Sequence, residues 1–211
     1  TLVALHRLPA GPFRPYALPE YLREARLFAD WFCPAAGIEI DAAGYDTAWQ
    51  EVLDPLVARQ APPVTVMRDY HAENIMLLGG LDEQGLLDFQ DAATGHRAYD
   101  LVSLLQDARR DVSPALEAAM FDRYVAATGA APADFLADYA TLGAQRNAKI
   151  IGIFVRLWRR DDKPRYLSLI PRVWALLERD LVHPALEPVA RWFDANLAPA
   201  LREAGGGMLV A

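Results

Sequence analysis

One cysteine, Cys33, stands among 211 residues, so no intramolecular disulfide can form. That fits a reducing compartment and a cytoplasmic protein. Set in "DWFCPAAG", between aromatic residues and a proline, it reads as buried filler rather than a nucleophile. Lysine is almost as scarce: the chain has only Lys149 and Lys163. No apolar run approaches the ~20 residues that span a bilayer. No signal-peptide pattern opens the chain. There is no excess of positive charge. The net charge of −7 and the pI near 5.1 argue against a nucleic-acid partner or an anionic membrane surface. Glycine-rich phosphate loops, G-x-G-x-x-G or G-x-x-x-x-G-K-[ST], are absent too. The first residues, "TLVALHRLPAGPF", lack an initiating Met, which leaves room for a longer protein.

What is present is globular: 53% hydrophobic and 23% charged, enough for one substantial core. Helical spacing runs from Leu18 to Phe32 and is broken by "PAAGIEIDAAG". Asp46 is placed to cap a second helix carrying Trp49, Val52, Leu53 and Leu56, which "RQAPP" ends. Three short apolar runs follow, "VTVM" (64–67), "IMLL" (75–78) and "GLLDF" (85–89), as buried strands have. "GGLDEQG" (79–85) supplies a hairpin turn.

The rest reads as helix. One segment runs from Tyr99 to Ala108. Another has Ser113 as N-cap, Pro114 in its first turn and Gly129 at its stop. A long segment from Pro132 to Arg159 is interrupted by Gly143 and Gly152, and two more helices lie near 165–181 and 185–202. "AGGGMLVA" reads as a frayed tail. The fold class is α+β, mostly helical, with one small β-hairpin, and residues 1–211 read as a single domain.

The chemistry concentrates at that hairpin. Asp69, His71 and Asn74 lie in the loop before it, and Asp88 lies at the end of its second run. Antiparallel pairing brings the two ends together. One carboxylate is then free to take a proton, while an amide oxygen and a second carboxylate face a common point. Hard oxygen donors of this kind suit Mg²⁺ held with substrate phosphates, the working arrangement of phosphoryl transfer. Asp88 at the end of an apolar strand would be costly without such a partner.

"RDYHAEN" has the D-x4-N spacing of a kinase catalytic loop, and "LLDFQDA" stands where kinases keep D-F-G. With "GHRAYDLVSLLQD", these residues resemble the aminoglycoside phosphotransferase and choline kinase superfamily, over the whole chain, as its protein-kinase-like C-terminal lobe. "QRNAKIIGIFVRL" and "RDDKPRYLSLIPRVWALLERDL" add a likeness to the bacterial anomeric sugar kinases, which phosphorylate the C1 hydroxyl of N-acetylmuramate and N-acetylglucosamine in peptidoglycan recycling. The resemblance implies Asp69 as catalytic base, Asn74 and Asp88 as Mg²⁺ ligands, and ATP and Mg²⁺ as cofactors. It implies a small-molecule substrate, an amino sugar by preference, and a partner in an N-terminal nucleotide-binding lobe that these residues do not include. Isolated, the chain is expected to bind ATP weakly and turn over little.

Two departures stand out. The family's H-G-D is Met67-Arg68-Asp69 here, which implies a loop braced differently, with Arg68 near phosphate or a carboxylate. The third position of D-F-G is Gln90. His71 reads as a loop brace, Asp100 as a hydrogen-bonding anchor for the loop, and Asp91 as either a substrate contact or a strand end. Arg146 and Lys149 share one helix face, either solvated or forming the floor for an acidic sugar. An aminoglycoside or choline acceptor, and a non-catalytic kinase-like binding domain, are the alternatives.

Overall fold

The computed structural model describes residues 1–80, 83–206 and 209 and is α+β, mostly helical. In chain order its helices are α1 (Leu2–Arg7), α2 (Leu18–Ala25), α3 (Cys33–Ala35), α4 (Ala42–Ala58), α5 (Tyr99–Leu105), α6 (Pro114–Thr128), α7 (Pro132–Asp161), α8 (Ile170–Leu181), α9 (Glu187–Asn196) and α10 (Pro199–Glu203). Its strands are β1 (Val64–Val66), β2 (Ile75–Gly80), β3 (Glu83–Leu86) and β4 (Ala93–Gly95). No described helix is long and apolar enough to cross a membrane.

Several expectations meet their residues directly. Ser113 accepts a hydrogen bond from the Leu116 amide, Pro114 sits in the first turn, and Gly129 closes α6 at φ 67°. β2 and β3 pair antiparallel, Ile75 opposite Leu86 and Leu77 opposite Gln84. Two residues of the expected turn, Leu81 and Asp82, lie outside the described residues.

Other expectations are corrected. Asp46 is not a cap: α4 begins at Ala42, and Asp41 accepts the Gly44 amide at 2.9 Å, while Asp46 pairs with Arg26. The first helical stretch does not stop at Phe32. It passes through a π-helical turn at Phe28–Phe32 into α3 and ends where Gly37 takes φ 68°. Gly143 and Gly152 do not interrupt α7, a continuous helix of 30 residues. A Cβ at Gly152 would collide with the Leu27 backbone, so this glycine permits a close approach of chains rather than a break. The expected helix 185–202 is two helices, α9 and α10. The strands of the hairpin are not buried: Met76, Leu77 and Leu78 are exposed. β4, which pairs with β1, has no counterpart in the sequence reading. In the tail, Gly206 and Leu209 are packed rather than frayed, and the remaining residues from 207 on lie outside the described set.

Contacts gather into two units, Thr1–Ala17 with Val57–Tyr139, and Leu18–Leu56 with Ala140–Ala211. The second is built on aromatic packing. Phe28 stacks on Phe32 at 4.9 Å and lies 5.2 Å from Phe193, and Tyr45 meets Trp192 edge-on at 4.7 Å. Cys33 is fully buried there, and burial pushes its thiol up to about 12, so it stays protonated.

In the first unit Tyr16 packs edge-on against Tyr99, and a buried polar knot ties β4 to α7. His96 accepts the Ala98 amide on Nδ1, so its Nε2 carries the hydrogen and faces Asp138 at 3.1 Å. Arg59 completes the knot on the other Asp138 oxygen. Burial pushes the Asp138 carboxyl up, but the hydrogen bonds from His96 and Arg59 outweigh it and hold the group below its ordinary value.

His6 in the same unit is held down to about 4, chiefly by burial and then by the Arg97 charge. Between pH 6.5 and 4 the unfolded chain therefore binds a proton that the native chain refuses. Stability must fall as pH drops through that window, by up to about 1.4 kcal/mol per pH unit from this group. Urea unfolding at stepped pH checks it: His6→Gln should flatten the slope between pH 6.5 and 4 and leave it unchanged above pH 7.

Candidate active site

β1 is buried along its length and delivers the chain to Met67, also buried. There the backbone turns sharply, because Arg68 sits at φ 68°. A side chain in this left-handed region costs about 1–2 kcal/mol, so neighbouring contacts must hold it. Asp100, fully buried at the start of α5, supplies them. Its two carboxylate oxygens accept the Met67 amide at 2.7 Å and the Arg68 amide at 3.0 Å. The Ser103 hydroxyl, one turn further along α5, donates to the Arg68 carbonyl at 3.5 Å. Asp69 emerges from this turn with an exposed side chain, and Tyr70 turns back into the core.

The loop then closes on itself. The His71 amide donates to the Asp69 carbonyl at 3.1 Å, and the Asn74 amide to the His71 carbonyl at 2.9 Å. A 3-10 turn, Ala72–Asn74, leads into β2. The Asn74 side-chain NH₂ donates to the Asp69 carbonyl at 3.0 Å and lies 3.4 Å from His71 Nε2. Both contacts use its nitrogen, so Asn74 Oδ1 is left unengaged among the described residues. The His71 Nε2 contact also places the ring proton on Nδ1.

β3 returns the chain to the same end. The Leu87 amide donates to the Asn74 carbonyl at 2.9 Å, and the next residue is Asp88. Asp88 takes φ 60°, a second left-handed residue that is not glycine. Its exposed carboxylate accepts a hydrogen bond from the Gln90 side chain. Among the described residues only Arg68, Asp88 and Asp162 take such a conformation without being glycine. Two of the three fall in this one cluster, as strain does at working sites. Arg68 reaches across to the Asp91 carbonyl at 3.4 Å, and its guanidinium lies 5.2 Å from the Tyr16 ring centre. Asp91 keeps its carboxylate exposed.

Asp69, His71, Asn74 and Asp88 thus belong to one hydrogen-bonded loop and hairpin of the first unit, with Arg68 and Asp91 bracing its edge. Asn74 Oδ1 and the Asp88 carboxylate are hard oxygen donors, the chemical type that Mg²⁺ takes. No group of three or more His, Cys, Asp or Glu side chains able to hold a metal occurs among the described residues. Two protein ligands are nonetheless what Mg²⁺ takes when phosphates and waters fill its other positions.

Arg146 and Lys149 lie in the second unit, and neither is on a solvated face. Arg146 is buried, and the Lys149 Nζ contacts the buried Glu24 at 2.8 Å. Around them Gln145 donates to the Tyr21 carbonyl at 2.9 Å and Asn147 to Asp180 at 3.2 Å. The spacing of Arg146 and Lys149 places them on one helix face, but only the partner segment carrying Glu24 reveals that the face is covered. Nothing in the residue pattern marks Gln90 as a donor to Asp88.

A buried carboxylate thus fixes the turn before an exposed Asp, and the hairpin sets Asn74 beside Leu87, the residue before Asp88. The chain belongs to the phosphotransferase enzyme family, which it matches over residues 1–136. It is 45% identical over 174 residues to the N-acetylmuramate/N-acetylglucosamine kinase of Caulobacter vibrioides, covering 80% of this chain and 48% of that protein. The kinase of the same name from Pseudomonas aeruginosa is 38% identical over 188 residues, covering 84% and 55%. That from Neisseria meningitidis is 38% identical over 183 residues, covering 79% and 53%. The chain spans about half the length of the curated relatives it matches.

Proposed function

We propose that this chain is the acceptor and catalytic half of an ATP- and Mg²⁺-dependent kinase. Its acceptor is the hydroxyl of a small molecule, the anomeric C1 hydroxyl of N-acetylmuramate or N-acetylglucosamine. The observation that carries the reading is the single loop in which Asp69 and Asn74 are hydrogen-bonded together and Asp88 is delivered beside Asn74 by the hairpin.

In this reading Asp69 orients the acceptor hydroxyl and takes its proton as the oxygen bonds to the γ-phosphorus of ATP, while the bond from that phosphorus to the β–γ bridging oxygen breaks and ADP leaves. Asn74 Oδ1 and Asp88 hold the metal, which when bound neutralises charge on the transferring phosphates. Asn74 keeps its NH₂ turned into the loop, so its oxygen needs no rearrangement to serve. Gln90 holds the Asp88 carboxylate in place. A lobe carrying a glycine-rich loop and a phosphate-binding lysine, outside these residues, completes the nucleotide site. The names of the relatives support the amino sugar over an aminoglycoside or choline.

Phosphate transfer from ATP and Mg²⁺ by the product of the complete gene tests this. N-acetylmuramate, N-acetylglucosamine, an aminoglycoside and choline are offered in parallel. The expected product is the amino sugar 1-phosphate. Transfer to the aminoglycoside or choline alone would replace the acceptor. Transfer to none, with sugar binding that ignores Mg²⁺, would make this a binding domain.

A further inference from the structure

Away from the loop and hairpin, the first unit contains a cavity of about 480 Å³ between α1, the proline turn before β1 and the last turns of α6. Neither Asp69, Asn74 nor Asp88 lines it. Cavities of a few hundred Å³ with apolar walls and a few polar groups are where small ligands bind. Val3, Pro63 and Val64 contribute apolar wall, and Arg7, Arg97, His6 and Tyr124 contribute the polar groups.

The charge of this cavity is unusual for the chain. The protein carries 28 acidic against 21 basic residues, yet among the described residues none that lines the cavity bears a carboxylate. Arg97 makes no ion pair with a carboxylate among the described residues. It also borders a smaller cavity of about 180 Å³ with Asp134 and Asp138, but Asp138 is engaged by Arg59 and His96. Arg7 donates to the Ala127 carbonyl at 3.2 Å, which uses one of its five N–H groups. His6 lies 2.6 Å from the Tyr124 hydroxyl and is neutral at pH 7, so the cavity's charge is that of the two guanidiniums. Two cations without a counter-ion in a concave, partly apolar site attract an anion and give it forked hydrogen bonds.

We propose that this cavity binds a small organic anion, a carboxylate or phosphate ester with an apolar body, through Arg97 and Arg7. The site has a route to the catalytic loop. The Tyr124 hydroxyl donates to the Arg97 carbonyl at 3.3 Å, and Arg97 stands three residues before Asp100, the anchor of the Arg68 turn. An anion on Arg97 therefore acts on the segment that fixes Asp69.

Isothermal titration of the full protein with phenyl phosphate and with benzoate, in matched salt and without Mg²⁺ or nucleotide, tests the site and separates the two anion classes. At least one should bind with a Kd in the millimolar range or tighter. Arg97→Gln should weaken it about ten-fold or more, as losing a charge-assisted contact does. Ala127→Trp is placed at an exposed position of the cavity rim and should block it without disturbing the core. Asp88→Asn should leave binding unchanged. The proposal is overturned if neither anion binds, if binding survives both Arg97→Gln and Ala127→Trp, or if Asp88→Asn abolishes it.

Discussion

Asp69→Asn will lower kcat for the proposed sugar phosphorylation by about 10²–10⁴-fold, the range that a positioned general base supplies. KM for the sugar will change little. The reason is local. The Asp69 backbone, not its side chain, holds the loop together: its carbonyl accepts from the Asn74 NH₂ and the His71 amide. The carboxylate is exposed and is replaced by an amide of the same shape. The fold and the Asn74–Asp88 pair should therefore survive, and only the proton acceptor is lost. Steady-state kinetics with circular dichroism as a fold control checks this. Turnover within a factor of about three of wild type, well short of a lost general base, would remove Asp69 from its role.

The hairpin was legible because two short apolar runs flanked a glycine-rich turn, and pairing geometry then forces their ends together. Family motifs made the same residues stand out. The left-handed backbone at Arg68 and Asp88 was not legible, since neither residue type announces it. It exists because tertiary contacts, Asp100 above all, hold it. β4 is not legible in the sequence because its three residues, Ala93–Gly95, are too few to show an alternation. Gly152 resembled a helix break from sequence alone. In the folded chain the intact helical hydrogen bonds outweigh its propensity cost of about 1 kcal/mol, and its missing side chain admits the Leu27 backbone. Asp46 and Asp41 both suit a cap, and a helix beginning five residues earlier than an Asp46 cap would start it decides for Asp41. Arg146 and Lys149 show the limit most clearly. Periodicity tells which residues share a face, but not whether another element covers it.

Asp100→Asn will slow turnover by an amount comparable to some active-site changes, although Asp100 touches no reacting atom. The substitution keeps one acceptor and turns an NH₂ toward a backbone amide. One of the Met67 and Arg68 N–H groups then loses its partner in a buried place, at a cost of about 1–3 kcal/mol. The chain can escape by releasing Arg68 from φ 68°, which recovers the strain of the left-handed region. That escape moves Asp69, the next residue. Asp100→Asn should therefore lower both stability and kcat, the latter about ten-fold or more if Asp69 shifts by an ångström. A purely structural role would lower stability alone. Adding Arg68→Gly separates the two, because glycine adopts φ 68° without penalty. The double variant should regain much of the kcat lost in Asp100→Asn. If it regains none, the Asp100 carboxylate supports the core but does not set the turn that presents Asp69.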